Sequence, residues 1–407
     1  MLIAGEPSGD MLAAELATAL RGQLPGAACF GAGGPRMAGA GVELVHDMSR
    51  LSVVGITDVL LRLLELRRLM KQLLAVAIAR QPAVIIGVDY GGFNLRFGQA
   101  VRQHVRQSPF SKWKPKIVQF VSPQVWASRP GRAYRLAEDY DLLLSIFPFE
   151  KDWYARRVPQ LRVEFVGHPM VGRFANDLLR DRSPAPPDAG ANRPGQILLL
   201  PGSRKSELKR HLPPMLGALE IIQKRLPDLR SKMVLPAENL AGLVRGQLLH
   251  QLQSSPAQIG PADRTGTQAL ARKVFPNLEI QIGNLPPTLA QADLAIAKTG
   301  TVTMECAFFG VPAVTLYRGS WLNYQIARHL ITVKTFTMPN LLAGEEVYPE
   351  FLQYDLTAEN LARAALDLLQ NETRRQTVKA QLTRIIASLG QPGAPMRAAE
   401  AILSLLK

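Results

Sequence analysis

Cysteine is nearly absent: the 407 residues include only two, Cys29 and Cys306, which lie far apart in the sequence. Two distant thiols exclude a disulfide framework and a cysteine-based metal cluster, and they suit a reducing compartment such as the cytoplasm. The chain has no uncharged apolar run long enough to span a bilayer, and Met1–Gly5 lacks the features of a signal peptide. We therefore expect a protein that is soluble or lies on a membrane surface.

Acidic residues are scarce relative to basic ones, with 33 aspartates and glutamates against 48 lysines and arginines. The net charge of +15 indicates an anionic partner, which on charge alone could be a nucleotide, a phosphorylated lipid, a membrane surface or a nucleic acid. The basic residues are dispersed along the chain, and no DNA- or RNA-reading motif is present. We therefore predict no nucleic-acid partner.

Short apolar runs alternate with longer helical patterns along most of the chain. The runs are Ala83–Val88, Lys116–Val121, Leu142–Phe147, Gln196–Leu200, Ser231–Pro236, Leu294–Lys298 and Ala313–Tyr317. This alternation is typical of βαβ units and predicts an α/β protein with doubly wound parallel sheets. Because 47% of the residues are hydrophobic, a chain of this length can bury two cores.

One segment stands out by its proline and glycine content. Residues 183–195 cannot form a regular element and are the predicted linker between two domains. We predict an N-terminal domain at 1–182 and a C-terminal domain at 196–385, followed by a strongly apolar helix within 386–407. Two α/β domains joined by one linker favour a ligand in the cleft between them.

Asp89 follows the apolar run that ends at Val88 and precedes Tyr90, Gly91 and Gly92. In open parallel sheets, ligands bind where strands end in this way. The neighbouring glycines allow a substrate to come close, and apolar surroundings would raise the affinity of the carboxylate for protons. Asp89 is therefore a candidate general base, although an aspartate that caps the next helix or closes a turn is the structural alternative.

A second loop, Ala4–Asp10, leads from a short strand into a helix and offers backbone N–H groups to an anion. Its spacing differs from the G-x-G-x-x-G of dinucleotide-binding proteins, so no such cofactor is indicated. Glu6 and Asp10 would repel a bare phosphate unless they bind sugar hydroxyls. Asp10 is predicted to cap a helix.

The sharpest anion signal is the apolar run Ile197–Leu200 followed by Pro201–Glu207. Arg204 can form a two-pronged contact with a phosphate, and Ser203 and Ser206 can add hydroxyl groups. The alternative, which the sequence favours equally, is that Arg204 is only a solvent-exposed arginine at the start of a helix. The segment therefore predicts a phosphate-binding loop.

A complementary loop, Thr299–Thr301, follows another apolar run and turns into a helix whose first turns hold Glu305. A carboxylate at this position can accept hydrogen bonds from ribose hydroxyls. Favourable interaction with the helix dipole is the commoner reason for such a glutamate.

The helical pattern at Ile56–Ile78 has a broad apolar face that suits packing in a core. Two further leucines, Leu61 and Leu69, fall on the other side beside arginines and a lysine. Such leucines suit a surface that rests on anionic lipid, and a self-association interface fits equally well. The predicted membrane-contact residues are Val59, Leu60, Leu61, Arg62 and Leu69.

These motifs, in this order, resemble the lipid-A-disaccharide synthase family, which are bacterial glycosyltransferases of GT-B architecture. The resemblance covers nearly the whole chain. It rests on the loops described above and on Gly34–Met37, Val54–Ile56, Val121–Ala127, Phe147–Glu150, Val166–Pro169 and Pro339–Gly344. The family's fold comprises two Rossmann-like domains, of which the first receives the acceptor and the second the UDP-sugar.

The resemblance implies transfer from UDP-2,3-diacylglucosamine to 2,3-diacylglucosamine 1-phosphate, which gives the lipid A disaccharide 1-phosphate and UDP. Asp89 matches the family's base and would take the proton from the acceptor's 6-hydroxyl. The implied donor residues are Gly202, Ser203, Arg204, Thr299, Gly300, Thr301 and Glu305. The implied acceptor and cleft residues are Glu6, Ser8, Gly9, Asn94, Ser122 and Asn340.

No cofactor and no catalytic metal are implied. The chain does contain an Asp-x-Asp motif, formed by Asp139 and Asp141. In glycosyltransferases of another architecture, a motif of this kind holds a divalent cation. We interpret the pair as structural because Asp141 directly precedes an apolar strand and matches an aspartate that begins that strand in the family.

The resemblance also bears on location and assembly. In GT-B proteins the last helix, here within 386–407, tends to cross back to the first domain, and in this family it can pack on a partner subunit instead, as in a homodimer. Because the substrates carry acyl chains, we expect a cytoplasmic protein associated peripherally with the inner membrane.

The chain departs from the family pattern in two places, and two alternative functions remain. Gly91 and Gly92 stand where proline and aspartate are usual, which could loosen the acceptor site, and the short first strand suggests a natural start upstream of Met1. One alternative is another UDP-sugar enzyme of this fold, such as a UDP-N-acetylglucosamine 2-epimerase. The other is a degenerate homologue that binds nucleotide or lipid and turns over poorly.

Overall fold

The chain forms two compact units, of which the first contains residues 1–172 and 389–407 and the second contains residues 173–388. The computed structural model describes residues 1–48, 59–108, 110–180, 195–253, 266–321, 324–325 and 331–407. For residues 59–63, 176–180 and 253 it describes the backbone alone.

The first unit is built on a seven-stranded sheet. Its strands are β1 (Leu2–Ala4), β2 (Phe30–Gly33), β3 (Glu43–Asp47), β4 (Val84–Val88), β5 (Lys116–Phe120), β6 (Leu142–Ser145) and β7 (Val163–Phe165). Its helices are α1 (Pro7–Gln23), α2 (Pro35–Gly39), α3 (Val59–Arg80), α4 (Gly91–Gln107), α5 (Val125–Ser128), α6 (Arg132–Asp139), α7 (Pro148–Ala155) and the start of α8 (Pro169–Arg180). All neighbouring strands are parallel, in the order β3-β2-β1-β4-β5-β6-β7.

The second unit is built on a six-stranded sheet. Its strands are β8 (Gln196–Leu200), β9 (Arg230–Leu235), β10 (Leu278–Ile282), β11 (Leu294–Lys298), β12 (Ala313–Tyr317) and β13 (Glu350–Leu352). Its helices are α9 (Lys205–Arg225), α10 (Ala241–Gln253), α11 (Thr267–Val274), α12 (Leu285–Leu289), α13 (Thr301–Phe308), α14 (Met338–Ala343), α15 (Ala358–Gln370) and α16 (Glu372–Ser388). These strands are also parallel, in the order β10-β9-β8-β11-β12-β13.

The central strands of both sheets are continuous apolar runs because helices cover both faces of a parallel sheet. In β8, Ile197, Leu198 and Leu199 are completely buried. Burial of one such side chain stabilises the fold by about 1.5–3 kcal/mol, so a short apolar run is enough to hold a central strand. The doubly wound α/β prediction is confirmed, and each predicted apolar run contains or overlaps a strand.

Each sheet has one point at which the strand order reverses. It lies between β1 and β4 in the first unit and between β8 and β11 in the second. The helices that follow these paired strands lie on opposite sides of the sheet, so their connecting loops leave a crevice at the carboxyl edge, where open α/β sheets bind ligands. The loops that leave these four strands carry Glu6, Asp89, Arg204 and Thr299.

The change from the first unit to the second comes early in α8 instead of at the proline-rich segment. Most of that segment, 183–194, lies outside the described residues. Within the second unit, the ring of Phe174 packs against Phe308 and Phe309, with ring centres 5.3 and 5.5 Å away. These contacts explain why the later residues of α8 already belong to the second unit.

The last helix, α17 (Ala394–Leu403), belongs to the first unit and packs on α1. The segment before it is tied to the first unit by a hydrogen bond from the His168 N–H to the Leu389 carbonyl, 2.9 Å long. Arg397 donates through Nε to the Val166 carbonyl at 2.8 Å. Residues far apart in sequence thus share one core.

Helix α3 corrects one part of the membrane prediction. Leu69 is only 3% exposed and belongs to the hydrophobic core of the first unit, together with Leu73 and Ala77. The helix turns Leu69 inward, so it cannot contact lipid. The side chains of the other predicted contacts, 59–62, lie outside the described residues. Among the helices described, none is both long and apolar enough to cross a bilayer.

Candidate active site

The backbone at Asp89 adopts a conformation that few side chains tolerate. Asp89 and Tyr90 have φ angles of 52° and 44°, in the left-handed region, where a non-glycine residue costs about 1–3 kcal/mol. Three hydrogen bonds hold this turn. The Asp89 N–H donates to the Phe120 carbonyl at 2.8 Å, and the Asp89 carbonyl accepts from Asn94 Nδ2 at 2.8 Å and from Gln119 Nε2 at 2.9 Å. The surrounding residues thus fix the direction in which the carboxylate leaves the sheet.

Two glycines bring the start of α1 against this turn. A Cβ atom on Gly5 would lie 2.3 Å from the Tyr90 ring, so the ring occupies the space that any side chain would need. A Cβ on Gly9 would lie 3.6 Å from the Cβ of Asp89. The loops after β1 and β4 therefore meet at the base of the crevice between them. Glu6 and Ser8 are exposed on the first of these loops.

The surroundings of Asp89 raise its pKa. Burial is the main cause; the N–H of Tyr90 opposes it by stabilising the charged form, and the negative charge of Glu6 adds to it. A carboxylate with a raised pKa is a stronger base, and a base works best when its pKa lies near the working pH. The loop is therefore suited to proton abstraction.

Asp10 has the capping role expected of it, but on a neighbouring helix. Its carboxylate is 6% exposed and accepts hydrogen bonds from the N–H groups of Gly34, Arg36 and Met37, at 2.8, 3.0 and 3.1 Å. It thus caps α2 from α1. Since Asp10 accepts from all three N–H groups, the Gly34–Met37 motif has a structural role.

Three of the predicted acceptor and cleft residues are buried, each within its own unit. Asn94, Ser122 and Asn340 are 2%, 3% and 1% exposed. Asn94 holds the Asp89 carbonyl, as described above. Asn340 belongs to the second unit, where its Oδ1 accepts from the N–H groups of Val347 and Tyr348 at 2.9 and 2.8 Å. Buried amides of this kind fasten loops and do not reach a substrate.

The loop after β8 in the second unit is held from below by Glu207. The φ angle of Gly202 is 123°, and a Cβ there would lie 2.5 Å from Glu207 Oε2. That oxygen accepts hydrogen bonds from the N–H groups of Ser203 and Arg204 at 3.0 and 3.3 Å. With its backbone fixed in this way, the loop leaves the side chains of Ser203 and Arg204 exposed.

A buried histidine completes this support. His211 is fully buried, its Nε2 accepts from the Arg318 N–H at 3.1 Å, and its Nδ1 lies 2.8 Å from the Pro201 carbonyl. Because Nε2 accepts, Nδ1 must carry the proton and donate it to Pro201. Burial lowers the pKa of His211, so the ring stays neutral and adds no charge to the loop.

Lys298, at the end of β11, joins the two loops of the second unit. Its Nζ lies 3.3 Å from Glu207 Oε1, and a Cβ on Gly300 would lie 3.1 Å from the same Nζ. Burial on its own would raise the pKa of Glu207, but Lys298 and the loop N–H groups outweigh it and lower that pKa. Glu207 is therefore charged and neutralised by Lys298, so it does not repel an anion at the loop.

The remaining donor residues lie at the same edge of this sheet. Gly300 has a φ angle of 147°, and its carbonyl accepts from Thr303 Oγ1 at 2.6 Å, which fixes the turn into α13. Thr301 is exposed, and Glu305 is half-buried on α13. Burial raises the pKa of Glu305, while the charge of Arg173 lowers it. All seven predicted donor residues thus lie on the two loops at the reversal point of the second sheet or on the helix that follows.

The sequence comparisons identify the family. A family model for lipid-A-disaccharide synthetase matches residues 1–257 and 266–403. Lipid-A-disaccharide synthases from Anaeromyxobacter sp. (strain K) and Alcanivorax borkumensis are 34% and 35% identical over 415 and 409 residues. Each alignment covers 100% of this chain and 97% of the relative. The chain belongs to the lipid-A-disaccharide synthase family. It is accordingly a glycosyltransferase of lipid A biosynthesis, and the epimerase alternative is not favoured.

Solved structures of other proteins share the fold of this synthase family member. A UDP-GlcNAc 2-epimerase from Neisseria meningitidis bound to UDP-GlcNAc superposes with a TM-score of 0.55 at 12% identity, covering 100% of this chain and 98% of that one. A putative UDP-N-acetylglucosamine 2-epimerase from Listeria monocytogenes gives a TM-score of 0.55 at 15% identity, covering 100% and 94%. The predicted GT-B type fold is confirmed.

The Asp-x-Asp pair has a structural place in the synthase fold. Asp141 Oδ2 accepts from the Ile117 N–H at 2.7 Å and pairs with Arg102, so it ties β5 to the start of β6. Asp139 is 5% exposed. Among the residues that the structure describes, no three histidine, cysteine, aspartate or glutamate side chains come together in a way that could hold a metal ion.

Glu150 is a residue that the sequence reasoning did not single out. It is completely buried, accepts from Trp126 Nε1 at 3.0 Å and from the Phe147 N–H at 3.3 Å, and also bonds to Ser122. It thereby fastens the loop after β5, in which Val121 has a φ angle of 67°. The sequence singles out the Phe147–Glu150 motif only as part of the resemblance, because two partners of Glu150, Trp126 and Ser122, lie more than twenty residues away.

This loop is the wall beside the Asp89 turn. A Cβ on Gly91 would lie 2.9 Å from Pro123 Cβ, so glycine allows Pro123 to pack directly against the start of α4. Gly92, by contrast, has no other atom within 4 Å of its Cβ position. Of the two departures from the family pattern, Gly91 thus has a packing reason and Gly92 leaves open space.

The buried carboxyl of Glu150 makes a prediction about stability. Burial raises its pKa to about 7, against the hydrogen bonds from Trp126 and Ser122, while the unfolded value is 4.5. The folded state therefore holds this proton more tightly than the unfolded state does. The favourable contribution of the protonated carboxyl to the free energy of unfolding is complete below pH 4.5 and is lost as pH rises to 7. We expect wild type to lose on the order of 3 kcal/mol over that range relative to Glu150→Gln, which cannot titrate.

Urea unfolding at several pH values between 4.5 and 8 measures this difference. Glu138→Gln is the matched control, because Glu138 is an exposed glutamate of the same unit and should follow wild type. A constant difference in unfolding free energy between wild type and Glu150→Gln across the range would show that Glu150 does not titrate there.

Proposed function

We propose that this glycosyltransferase joins UDP-2,3-diacylglucosamine to 2,3-diacylglucosamine 1-phosphate and releases UDP. One observation carries the proposal: each sheet has its chemically active loops at its reversal point. In the first unit these loops bear Asp89, a carboxylate with a raised pKa in a rigidly held turn. In the second they bear Arg204 and a charge-neutralised backbone loop. A base on one unit and an anion-binding loop on the other are what an inverting transfer from a nucleotide-sugar needs.

In the proposed reaction, Asp89 takes the proton of the acceptor's 6-hydroxyl as that oxygen attacks the anomeric carbon of the donor. The bond between this carbon and the diphosphate oxygen breaks, and UDP leaves with the electron pair. One displacement inverts the anomeric carbon and yields a β-1,6 linkage. A single base is sufficient, because no covalent enzyme intermediate has to be formed or hydrolysed.

The second unit is proposed to bind the departing nucleotide. Negative charge grows on the diphosphate as the bond breaks, and Arg204 with the N–H groups at the starts of α9 and α13 would stabilise it. Lys298 keeps Glu207 from opposing that charge. Glu305 would accept hydrogen bonds from the ribose hydroxyls, and Glu6 would position the acceptor.

The test is transfer of labelled 2,3-diacylglucosamine 1-phosphate in detergent micelles with UDP-2,3-diacylglucosamine and EDTA. Labelled disaccharide in the presence of EDTA is the expected result, and it would also establish that no metal is required. A protein that binds UDP but forms no disaccharide would contradict the proposed acceptor. It would point instead to a degenerate homologue.

We further propose that the exposed side of α3 rests on the cytoplasmic face of the inner membrane. Leu64 is 49% exposed, and Arg67, Arg68 and Lys71 are exposed on the following turns. An apolar side chain next to three cations suits a surface of anionic lipid, from which substrates with acyl chains would be drawn.

Leu64→Ser is expected to lower binding to anionic vesicles by up to about tenfold, because a half-exposed leucine loses its apolar contact with lipid. Flotation with phosphatidylglycerol-containing vesicles measures the effect. Leu24→Ser is the matched control, since Leu24 is 46% exposed at the end of α1. Unchanged flotation together with loss of a homodimer in light scattering would favour the self-association interface over membrane contact.

A further inference from the structure

A cavity of about 110 Å³ lies between α4 and α6 of the first unit. It begins at the first two residues of α4, immediately after the Asp89 turn. Its lining includes Gly91, Gly92, Arg96, Arg132, Arg135 and Asp139. Three arginines and a helix start in one small cavity are a setting for an anion.

The arginines of this cavity repel one another. Burial, together with the like charges of Arg129, Arg96 and Arg135, lowers the pKa of Arg132. In the part of the chain that the structure describes, the guanidinium groups of Arg96, Arg129 and Arg132 have neither a hydrogen bond nor an ion pair. Like charges held together without partners destabilise a fold, and a bound anion would remove that cost.

The acidic groups nearby do not neutralise the cavity. Asp139 is its only acidic lining residue, and burial raises the pKa of this carboxyl, which favours its neutral form. The charges of Arg106, Arg102 and Arg135 act on it in the opposite direction, and that of Glu138 adds to the burial effect. Even a fully charged Asp139 faces three lining arginines, so the cavity stays cationic.

The position of the cavity identifies its ligand. Gly92 is three residues from Asp89, so their Cα atoms are at most about 11 Å apart. In a glucosamine 1-phosphate, the phosphate is on C1 and the reacting 6-hydroxyl is attached through C5, and both of these carbons flank the ring oxygen. The two groups are therefore less than the length of the sugar apart. We propose that this arginine cavity, defined by Arg96, Arg132 and Arg135, binds the 1-phosphate of the acceptor while Asp89 meets its 6-hydroxyl. This assignment rests on the proposed function.

The first experiment compares kcat/KM for 2,3-diacylglucosamine 1-phosphate with that for 2,3-diacylglucosamine in the same micelles. Wild type should prefer the phosphorylated acceptor, and Arg132→Gln should reduce this preference about tenfold or more, because it removes a charge-assisted contact with the phosphate. Arg106→Gln, at the far end of α4, is the charge-matched control and should keep the preference. Damage to the fold alone would lower both rates and leave their ratio unchanged.

Gly92 permits a second test in the same assay. Because nothing lies within 4 Å of its Cβ position, Gly92→Asp adds a carboxylate at the cavity mouth, and Gly92→Asn adds a neutral side chain of the same shape. The aspartate should reduce the preference for the phosphorylated acceptor several-fold more than the asparagine does. Equal preference in wild type, Arg132→Gln and Gly92→Asp would overturn the proposal.

Calorimetry with glucosamine 1-phosphate separates this proposal from the proposed function, since it needs no turnover. The proposal predicts that glucosamine 1-phosphate binds more weakly to Arg132→Gln and Gly92→Asp than to wild type and Gly92→Asn. This result would support phosphate binding in the arginine cavity even if no disaccharide forms. Equal binding of the sugar phosphate to all four proteins would overturn the proposed phosphate site without contradicting the proposed transfer reaction. Inorganic phosphate that binds as tightly as the sugar phosphate would overturn the assignment to the acceptor.

Discussion

Asp89→Asn is expected to lower kcat by about 10² to 10⁴-fold, the usual loss when a general base is removed. The substitution keeps the size and shape of the side chain, and the turn is held by backbone groups that do not change. The asparagine, however, cannot accept the proton of the 6-hydroxyl. Binding of UDP should be unaffected, because the loops proposed to bind the nucleotide belong to the second unit.

The assay for this prediction is single-turnover transfer in micelles, with UDP affinity measured in parallel. Glu43→Gln removes a carboxylate that is exposed and paired with Arg80 on the edge strand β3, so it should retain full activity. Turnover by Asp89→Asn at a rate similar to wild type would eliminate Asp89 as the base.

The pH dependence of the wild-type reaction is a second test of the same residue. Because burial and Glu6 raise the pKa of Asp89, the carboxylate is protonated at a higher pH than an ordinary aspartate. We expect kcat/KM to fall as pH decreases through that raised pKa. Glu6→Gln should shift the fall to lower pH, because it removes the neighbouring negative charge.

Arg204→Ala is expected to lower kcat/KM for the donor by about 10²–10³-fold, the size of effect seen when one preorganised contact to developing charge is removed. Arg204 lies at the start of α9, where Glu207 and His211 have already fixed the backbone, so its guanidinium is free to meet the diphosphate. The loss should concern the donor step, with the KM for the acceptor little changed.

Lys205→Ala is the control for Arg204→Ala, since Lys205 is the next residue and is also exposed and basic. A loss confined to Arg204→Ala would indicate a specific contact with the diphosphate. Equal losses in both variants would indicate a general electrostatic attraction. Unchanged kinetics in Arg204→Ala would mean that the diphosphate binds elsewhere.

Much of the site could be read from strand ends alone. Asp89, Arg204 and Thr299 each follow an apolar run, and in a parallel sheet all such ends face one edge. Local sequence could not identify Asn94, Ser122 and Asn340 as buried supports, because an amide or hydroxyl near a motif looks the same whether it faces substrate or backbone. It also missed Glu207, His211 and Glu150, because each has at least one partner in a distant segment.

The sequence was sufficient to predict the two doubly wound units, their central strands and the loops that carry the proposed base and the proposed anion-binding arginine. These features depend on short-range patterns: a run of apolar residues forms a buried strand wherever helices can cover it. Only the folded chain shows which polar residues face the candidate site, the left-handed turn at Asp89, and the gathering of arginines from α4, α6 and the loop before it. Such features depend on which distant segments pack together, and that choice is made by the whole core.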